Sequence, residues 1–383
     1  MNLNRFYLLF LLLLAITACK HDDEFDPDPD KFDYEVNFFF DPSRPESCHY
    51  IFSMAKSNDG SIVFSAYTYE AQATDLFRFE TGKIEKIDPS TYFSGYQTYQ
   101  YEEVILYEKE NLLIKFDPDE INGHRWMVTD MNDRGHSASC QKDEQGNIWI
   151  ASRNSSTYDD YRRGILMYDG LEWRKFVPEW HVWSLCFDNS GNLYANTLPV
   201  PYTANEQVGV ILKYDHIEWK QMAMAGYITI YNLNDPVSGK PIDPVTYHFS
   251  SAWFSSLHID KDNNLWASSL QRNTIGEEYG GGLYKMTLTG ELQDYYHTLN
   301  QSKIPSNSIL VVRTDSRNNV WTGSYFGGIS KLSPDGKWET YMFPEIFGDD
   351  SFASVECIII DGDKIYGSLW LAYGLFELRP KKP

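Results

Sequence analysis

The sequence predicts an all-β fold: a seven-bladed β-propeller of four-stranded blades, its ring closed by an N-terminal strand. Three observations carry that expectation. One phrase recurs: Asp143-Glu144-Gln145-Gly146-Asn147-Ile148-Trp149-Ile150-Ala151-Ser152 returns as Asp188 to Asn196, Asp260 to Ser268 and Asp315 to Gly323, with worn copies at Ser57 to Ser65 and Asp361 to Ser368. The anchors of these copies, Val63, Trp149, Tyr194, Trp266, Trp321 and Tyr366, follow a period of roughly 45 residues, that of a four-stranded blade. The gap from Val63 to Trp149 is about twice that period, so a decayed copy is expected near Ile105 and the count reaches seven. Finally, the last unit supplies Val355 to Ile360, Ile365 to Leu369 and Leu375 to Leu378 and is one strand short, so the alternating stretch 33–40 is expected to complete it.

Each copy has a physical logic. An apolar run is followed by Asp with Gly or Asn, which tolerate the left-handed backbone of a tight hairpin, and then by Ile, Val, Trp or Tyr, which suit a half-buried pleat. After each hairpin comes a Gly-led strand and an aromatic-rich return, as in Gly164 to Asp169 then Trp173 to Phe176, or Gly209 to Tyr214 then Trp219-Lys220. The unit is therefore four strands, a to d, running from the axis outward.

The pattern Asp-x-x-Gly-Asn-Ile-Trp-Ile followed by Gly-Gly-Leu-x-x-Tyr resembles the two-component regulator propeller repeat, over roughly residues 49–380. That repeat occurs in extracytoplasmic sensor halves of hybrid histidine kinases and in smaller exported lipoproteins. The resemblance implies a sensing or ligand-binding role. No kinase, receiver or DNA-binding segment follows here, so the signal would pass to another chain. The repeat is also similar to streptogramin lyases and, more distantly, to lactonase-type propellers, in which axial histidines or acids bind a divalent cation.

The chain opens with an export signal over 1–18: an early Arg5, an apolar run from Phe6 to Ile16, then Ile16-Thr17-Ala18-Cys19. Its likeness to the bacterial lipobox implies cleavage before Cys19 and acylation of that residue, which tethers the chain to a membrane. Residues 19–32 are acidic and carry Pro27 and Pro29, the composition of a solvated tether, and they resemble the address that sends some lipoproteins to the outer-membrane surface. The propeller then occupies 33–383. A formal charge of −21 repels phosphate backbones and anionic lipid surfaces, so nucleic acid is excluded as a principal partner. Cys140, Cys186 and Cys357 fall on innermost strands and are expected to be free thiols.

Blade one is expected from about Tyr50 to Asp88, blade two from about Thr91 to Asp130, and blades three and four to about Met224. An insertion from Ala225 to Thr246, with Asp235-Pro236 and Ser238-Gly239-Lys240-Pro241, reads as turns rather than a strand. Blades three to five carry long b–c loops, Arg153 to Arg163, Leu198 to Val208 and Leu270 to Gly280, whereas blade six needs only Tyr325-Phe326-Gly327. These loops and the insertion share one face, and loops longer than connection demands are often functional.

Two constellations lie on that face. Thirteen residues before each anchor stand His136, His181, Trp253 and Ser308, with His49 one place off, which suggests residues at the channel mouth. The aromatic set comprises Trp180, Trp183, Trp253, Tyr158, Tyr161, Tyr202, Tyr279, Tyr325 and Trp370, with Tyr373 beside them. Flat amphipathic rings suit sugars and peptides. The expectation is a monomeric, non-enzymatic binding lipoprotein for a glycan, peptide or partner protein, with no cofactor, no metal and no catalytic residue assigned. A metal-dependent propeller enzyme and a scaffold subunit of an outer-membrane complex are the alternatives.

Overall fold

In the computed structural model the described residues are 33–39, 50–68, 73–117, 126–152, 164–177, 180–199, 210–223, 227–230, 245–248, 253–274, 277–298, 304–347, 353–370 and 374–381. Seven four-stranded antiparallel sheets form a ring. Five of them run from the axis outward in chain order, as in blade five: Trp253–Ile259, Leu265–Thr274, Glu277–Met286 and Leu292–Tyr296. The seventh blade closes with Tyr34–Phe38 paired antiparallel to Gly374–Pro380, in register from Tyr34 opposite Pro380 to Phe38 opposite Phe376. The closing strand that the sequence called for is therefore present, and the Tyr34 ring meets the Trp321 ring of blade six edge-on at 5.3 Å.

The recurring phrase is a side-chain-locked turn. In blade three, one Asp143 oxygen accepts the backbone N–H groups of Gln145 (3.0 Å) and Asn147 (2.8 Å), and the other accepts the Asn147 amide and the Trp149 indole, both at 2.8 Å. Asp188, Asp260 and Asp315 repeat this with Asn192 and Tyr194, Asn264 and Trp266, and Asn319 and Trp321. The third residue after each Asp has a positive φ, at Gly146, Gly191, Asn263 and Asn318, which is why only Gly and Asn appear there. The anchors themselves are buried between blades. The Gly opening a third strand has its own reason: Gly328 sits at φ 63, and a Cβ there would lie 2.2 Å from the Tyr341 carbonyl oxygen.

Blade two departs from the expected order. Its sheet runs Gln97–Tyr101, Val104–Lys109, Leu112–Phe116, Trp126–Asp130, and the last strand, not the first, is innermost. Val128 N–H donates to the Ser53 hydroxyl of blade one's inner strand at 2.8 Å, while the Trp173 indole of blade three's outer strand donates to Gln100 O at 3.0 Å. Ile105 therefore belongs to the third strand from the axis and is not the anchor of a decayed copy. The chain reaches the rim through residues 87–96, where a short helix, Pro89–Tyr92, is capped by the Asp88 carboxylate. Phe93 stacks on Tyr107 with centroids 3.9 Å apart and on Trp126 at 5.5 Å, sealing the gap between blades one and two.

The loop-rich face also differs in detail. The insertion is not purely turns, for Tyr227–Ile230 pairs antiparallel with Val245–His248. The blade-five loop is a hairpin arm in which Gln271 to Thr274 stand opposite Gly280 to Glu277, and the Val245–His248 strand lies against it. Alternating β-competent residues such as Tyr227-Ile228-Thr229-Ile230 extend strand pairing beyond the ring itself.

Candidate functional site

An axial cavity of about 750 Å³ is lined by the inner strands of the blades and by a segment that crosses it. That segment, 131–139, follows from blade two. Its inner strand comes last and ends at Asp130, on the turn face, where Asp130 accepts from the Asn111 amide at 2.8 Å. The chain must then climb back through the channel to begin blade three. On the way it pairs with two blades: Arg134 O accepts from Phe187 N–H and Gly135 O from Ile259 N–H at 2.8 Å, and Ser137 N–H donates to Leu257 O at 2.9 Å. Ala138 exchanges two hydrogen bonds with Leu185. Gly135 is required here, since a Cβ would stand 2.6 Å from Ile259 O.

The climbing segment brings charge and imidazole to the axis. Arg313, 8% exposed, donates its Nε–H to Ile358 O at 2.9 Å and pairs through its guanidinium with Asp133. The rings of His136 and His258 lie 6.3 Å apart. Burial pushes the His258 pKa down to about 4, with Asp133 acting against the shift and Arg313 reinforcing it. Burial, then the charges of Arg313 and His258, holds His136 well below the usual histidine range. Both imidazoles are therefore neutral at pH 7. His258 Nε2 and Thr314 Oγ1 share a hydrogen bond of 2.7 Å. Among the described residues the Nδ1 atoms of His136 and His258, the Ser139 hydroxyl and the Gln141 carbonyl oxygen have no partner.

Nearer the loop face, five inner strands share an irregularity. The pairing register of each shifts between Ile51 and Ser53, Val182 and Ser184, Phe254 and Ser256, Ile309 and Val311, and Val355 and Ile358. A bulge re-aims the residue it frees. The residues concerned, Phe52, Trp183, Ser255, Leu310 and the pair Glu356-Cys357, all line the cavity. Burial, with Glu356 adding to it, pushes the Cys357 thiol up to about 12. Cys140, Cys186 and Cys357 are all free thiols, as expected.

Of the residues singled out from sequence, His136 and Trp183 reach the cavity. His136 meets His258, and it stands within the channel because the return segment carries it there. The backbone places His181 opposite Leu198, Trp180 opposite Pro199, Trp253 opposite Leu270, Tyr279 opposite Arg272 and Trp370 opposite Ser354, all at the loop-face ends of strands. Tyr325 lies in the short blade-six connection, packed on Phe326 at 4.1 Å, and does not line the cavity. Tyr158, Tyr161, Tyr202, Tyr373 and Cys19 lie outside the described residues. Sequence reasoning missed Phe52, Ser255, Leu310, Glu356, Asp133, Gln141, His258 and Arg313. The signal was present, for Phe52, Trp183, Ser255 and Leu310 all stand eleven residues before their anchors, not thirteen. No three His, Cys, Asp or Glu side chains among the described residues group as a metal-ligand set.

No family model matches the chain, and no curated protein matches it. Solved structures do. A catalytically inactive virginiamycin B lyase from Staphylococcus aureus, crystallised with quinupristin, superposes with a TM-score of 0.51 at 12% identity, over 90% of this chain and 99% of that one. The extracellular domain of a one-component system from B. thetaiotaomicron gives 0.49 at 13% identity, over 92% of this chain and 40% of that one. A surface component of the type-IX secretion system of Porphyromonas gingivalis gives 0.49 at 14%, over 86% and 46%. At these identities the likeness is one of fold: the chain is a propeller similar in architecture to the lyase.

Proposed function

We propose that the protein is a surface lipoprotein whose propeller binds a ligand without transforming it, at the loop-rich face of blades three to five and the adjoining channel mouth. The observation that carries this reading is the ring of bulged residues, Phe52, Trp183, Ser255, Leu310 and Glu356, which turns five inner strands toward one cavity. Bulges concentrate where a strand re-aims side chains at a site. The hairpin arm and the strand pair Tyr227–Ile230 and Val245–His248 add backbone to that face. The ligand is a peptide, a glycan or a partner protein. Cys19 carries the acyl anchor, and the acidic stretch to residue 32 spaces the ring from the membrane.

Thermal denaturation of the purified protein against panels of peptides, oligosaccharides and divalent cations tests this, because a ligand that binds only the native state raises Tm. A shift with a peptide or sugar, lost in Trp183→Ala, supports the binding reading. A shift with a divalent cation, lost in His136→Ala, would replace it with the enzyme reading. Replacing Cys19 with Ala should move the protein from the membrane to the soluble fraction, and retention in the membrane would remove the anchor.

A further inference from the structure

The exposed aliphatic side chains of the ring lie on the face opposite its long loops. Among the described residues three large ones are exposed: Leu171 at 92%, Ile217 at 87% and Leu292 at 40%. All three stand at the c–d turns of consecutive blades, three, four and five, where Tyr168 meets Trp173, Tyr214 meets Trp219 and Met286 meets Leu292. In an antiparallel blade these turns share a face with the a–b turns.

Two of the tips are built alike. Asp169 accepts the N–H groups of Leu171 at 2.9 Å and Glu172 at 3.0 Å, and Asp215 accepts those of Ile217 at 3.2 Å and Glu218 at 3.0 Å. Gly170 (φ 93) and His216 (φ 68) reverse the chain and leave the next side chain, the aliphatic one, at the apex. The flanking acids are tied back in ion pairs: Arg174 bridges Asp169 and Glu172, both at 2.9 Å, and Lys220 bridges Asp215 at 2.8 Å and Glu218 at 2.9 Å. Each apex is thus apolar, with its acidic surroundings neutralised in part, which suits a zwitterionic surface better than an anionic one.

The N-terminal stretch joins the ring on this same face. In blade seven two separate segments take the place of a c–d turn: Gly374–Pro380 ends there, Tyr34–Phe38 begins there with Tyr34 opposite Pro380, and Lys381 N–H donates to Asp33 O at 2.8 Å. Even fully extended, residues 19–32 span at most about 50 Å, so a leaflet that holds Cys19 lies within that reach of the turn face. In a ring of seven, blade seven stands across from blades three and four.

We propose, resting on the lipoprotein reading above, that the turn face lies on the membrane: Leu171 and Ile217, with Leu292 beside them, enter the border of a zwitterionic lipid leaflet, and the loop-rich face points away from it. The acyl chains at Cys19 hold one side of the ring and the tips hold the other, so the ring lies flat instead of swinging on its tether. The tether limits how far the ring can stand from the leaflet, and the local concentration it sets makes contacts effective that would not hold a free ring.

Hydrogen exchange of the acylated chain in phosphatidylcholine vesicles, measured against the Cys19→Ala chain in solution, tests the proposal. Exchange at 169–173 and 215–219 should slow by about tenfold on the vesicles, the factor that burying one aliphatic side chain corresponds to, while the loop-face connection 325–327 should not change. The Leu171→Glu/Ile217→Glu double variant, changed only at exposed positions, should still float with the vesicles and lose the slowing. A chain that floats while both turns exchange as in solution, that slows at 325–327 instead, or that keeps the slowing in the double variant overturns the proposal and leaves the anchor standing. Slowing in native membranes but not in protein-free vesicles assigns the tips to a protein partner and overturns the lipid assignment. A chain that does not float with the vesicles removes the anchor and this proposal with it.

Discussion

Arg313 of blade six reaches across the channel to Asp133, a residue that its own chain places between blades two and three. The pair clamps the climbing segment to the far side of the ring, 180 residues away in sequence. Its guanidinium is buried while the Asp133 side chain is 43% exposed, so the two members of the pair are not equivalent.

Replacing Asp133 with Asn should leave the Arg313 charge buried with no carboxylate opposite it. A loss of about 1–3 kcal/mol is expected, below the value for a fully buried pair because Asp133 is partly solvated. Urea unfolding midpoints check this. Arg313→Met, which removes the buried charge itself, should cost less than Arg313→Ala.

The turn aspartates should be worth more than ordinary surface carboxylates. Asp260→Ala removes two backbone and two side-chain acceptor contacts and leaves the buried Trp266 indole N–H without its partner. A cost of about 2–4 kcal/mol is expected. Asp260→Asn, which keeps one acceptor oxygen, should recover part of it in the same denaturation series.

Stability should fall on mild acidification. His258 has a folded pKa of about 4 against an ordinary 6.5, so the unfolded chain binds the proton more readily. The contribution is fully present above pH 6.5 and is lost as pH falls toward 4; it amounts to about 3 kcal/mol for this shift. His136 is lowered too and adds in the same direction. Unfolding free energies measured from pH 7 to pH 4 should slope downward, and His258→Gln should flatten the slope.

Deleting residues 33–38 should expose Gly374–Pro380 as an open strand edge. A Tm drop of more than about 10 °C with concentration-dependent aggregation is expected. Scattering and melting curves recorded at several protein concentrations would reveal it, whereas removing Lys381 to Pro383 should change little.

The parts of this fold legible in the sequence are those written as local chemistry. Asp143, Asn147 and Trp149 are hydrogen-bonded to one another within seven residues, so the motif and the structure it makes are the same object. The closing strand was legible by elimination, from a last unit that lacked a partner for Leu375 to Leu378. The reversal of blade two was not, because Leu112, Ile114 and Val128 pack blade-to-blade as they would in either direction of travel. The doubled gap before Trp149 carried the only trace of it. The site was half legible for a similar reason. Counting from the anchor gives the right strand, but a bulge changes which residue faces the axis, and bulges have no residue signature in Phe52, Trp183, Ser255 and Leu310.

The reversed blade also sets an order of assembly. A propeller wound one way can add each blade to the last as the chain emerges. Here the backbone of residues 134–138 pairs with Leu185, Phe187, Leu257 and Ile259, more than a blade further along the chain. Blades two and three therefore cannot finish before four and five arrive, and the first strand waits for the last. Such long-range pairing slows folding, and it makes the ring complete in one late, cooperative step rather than blade by blade.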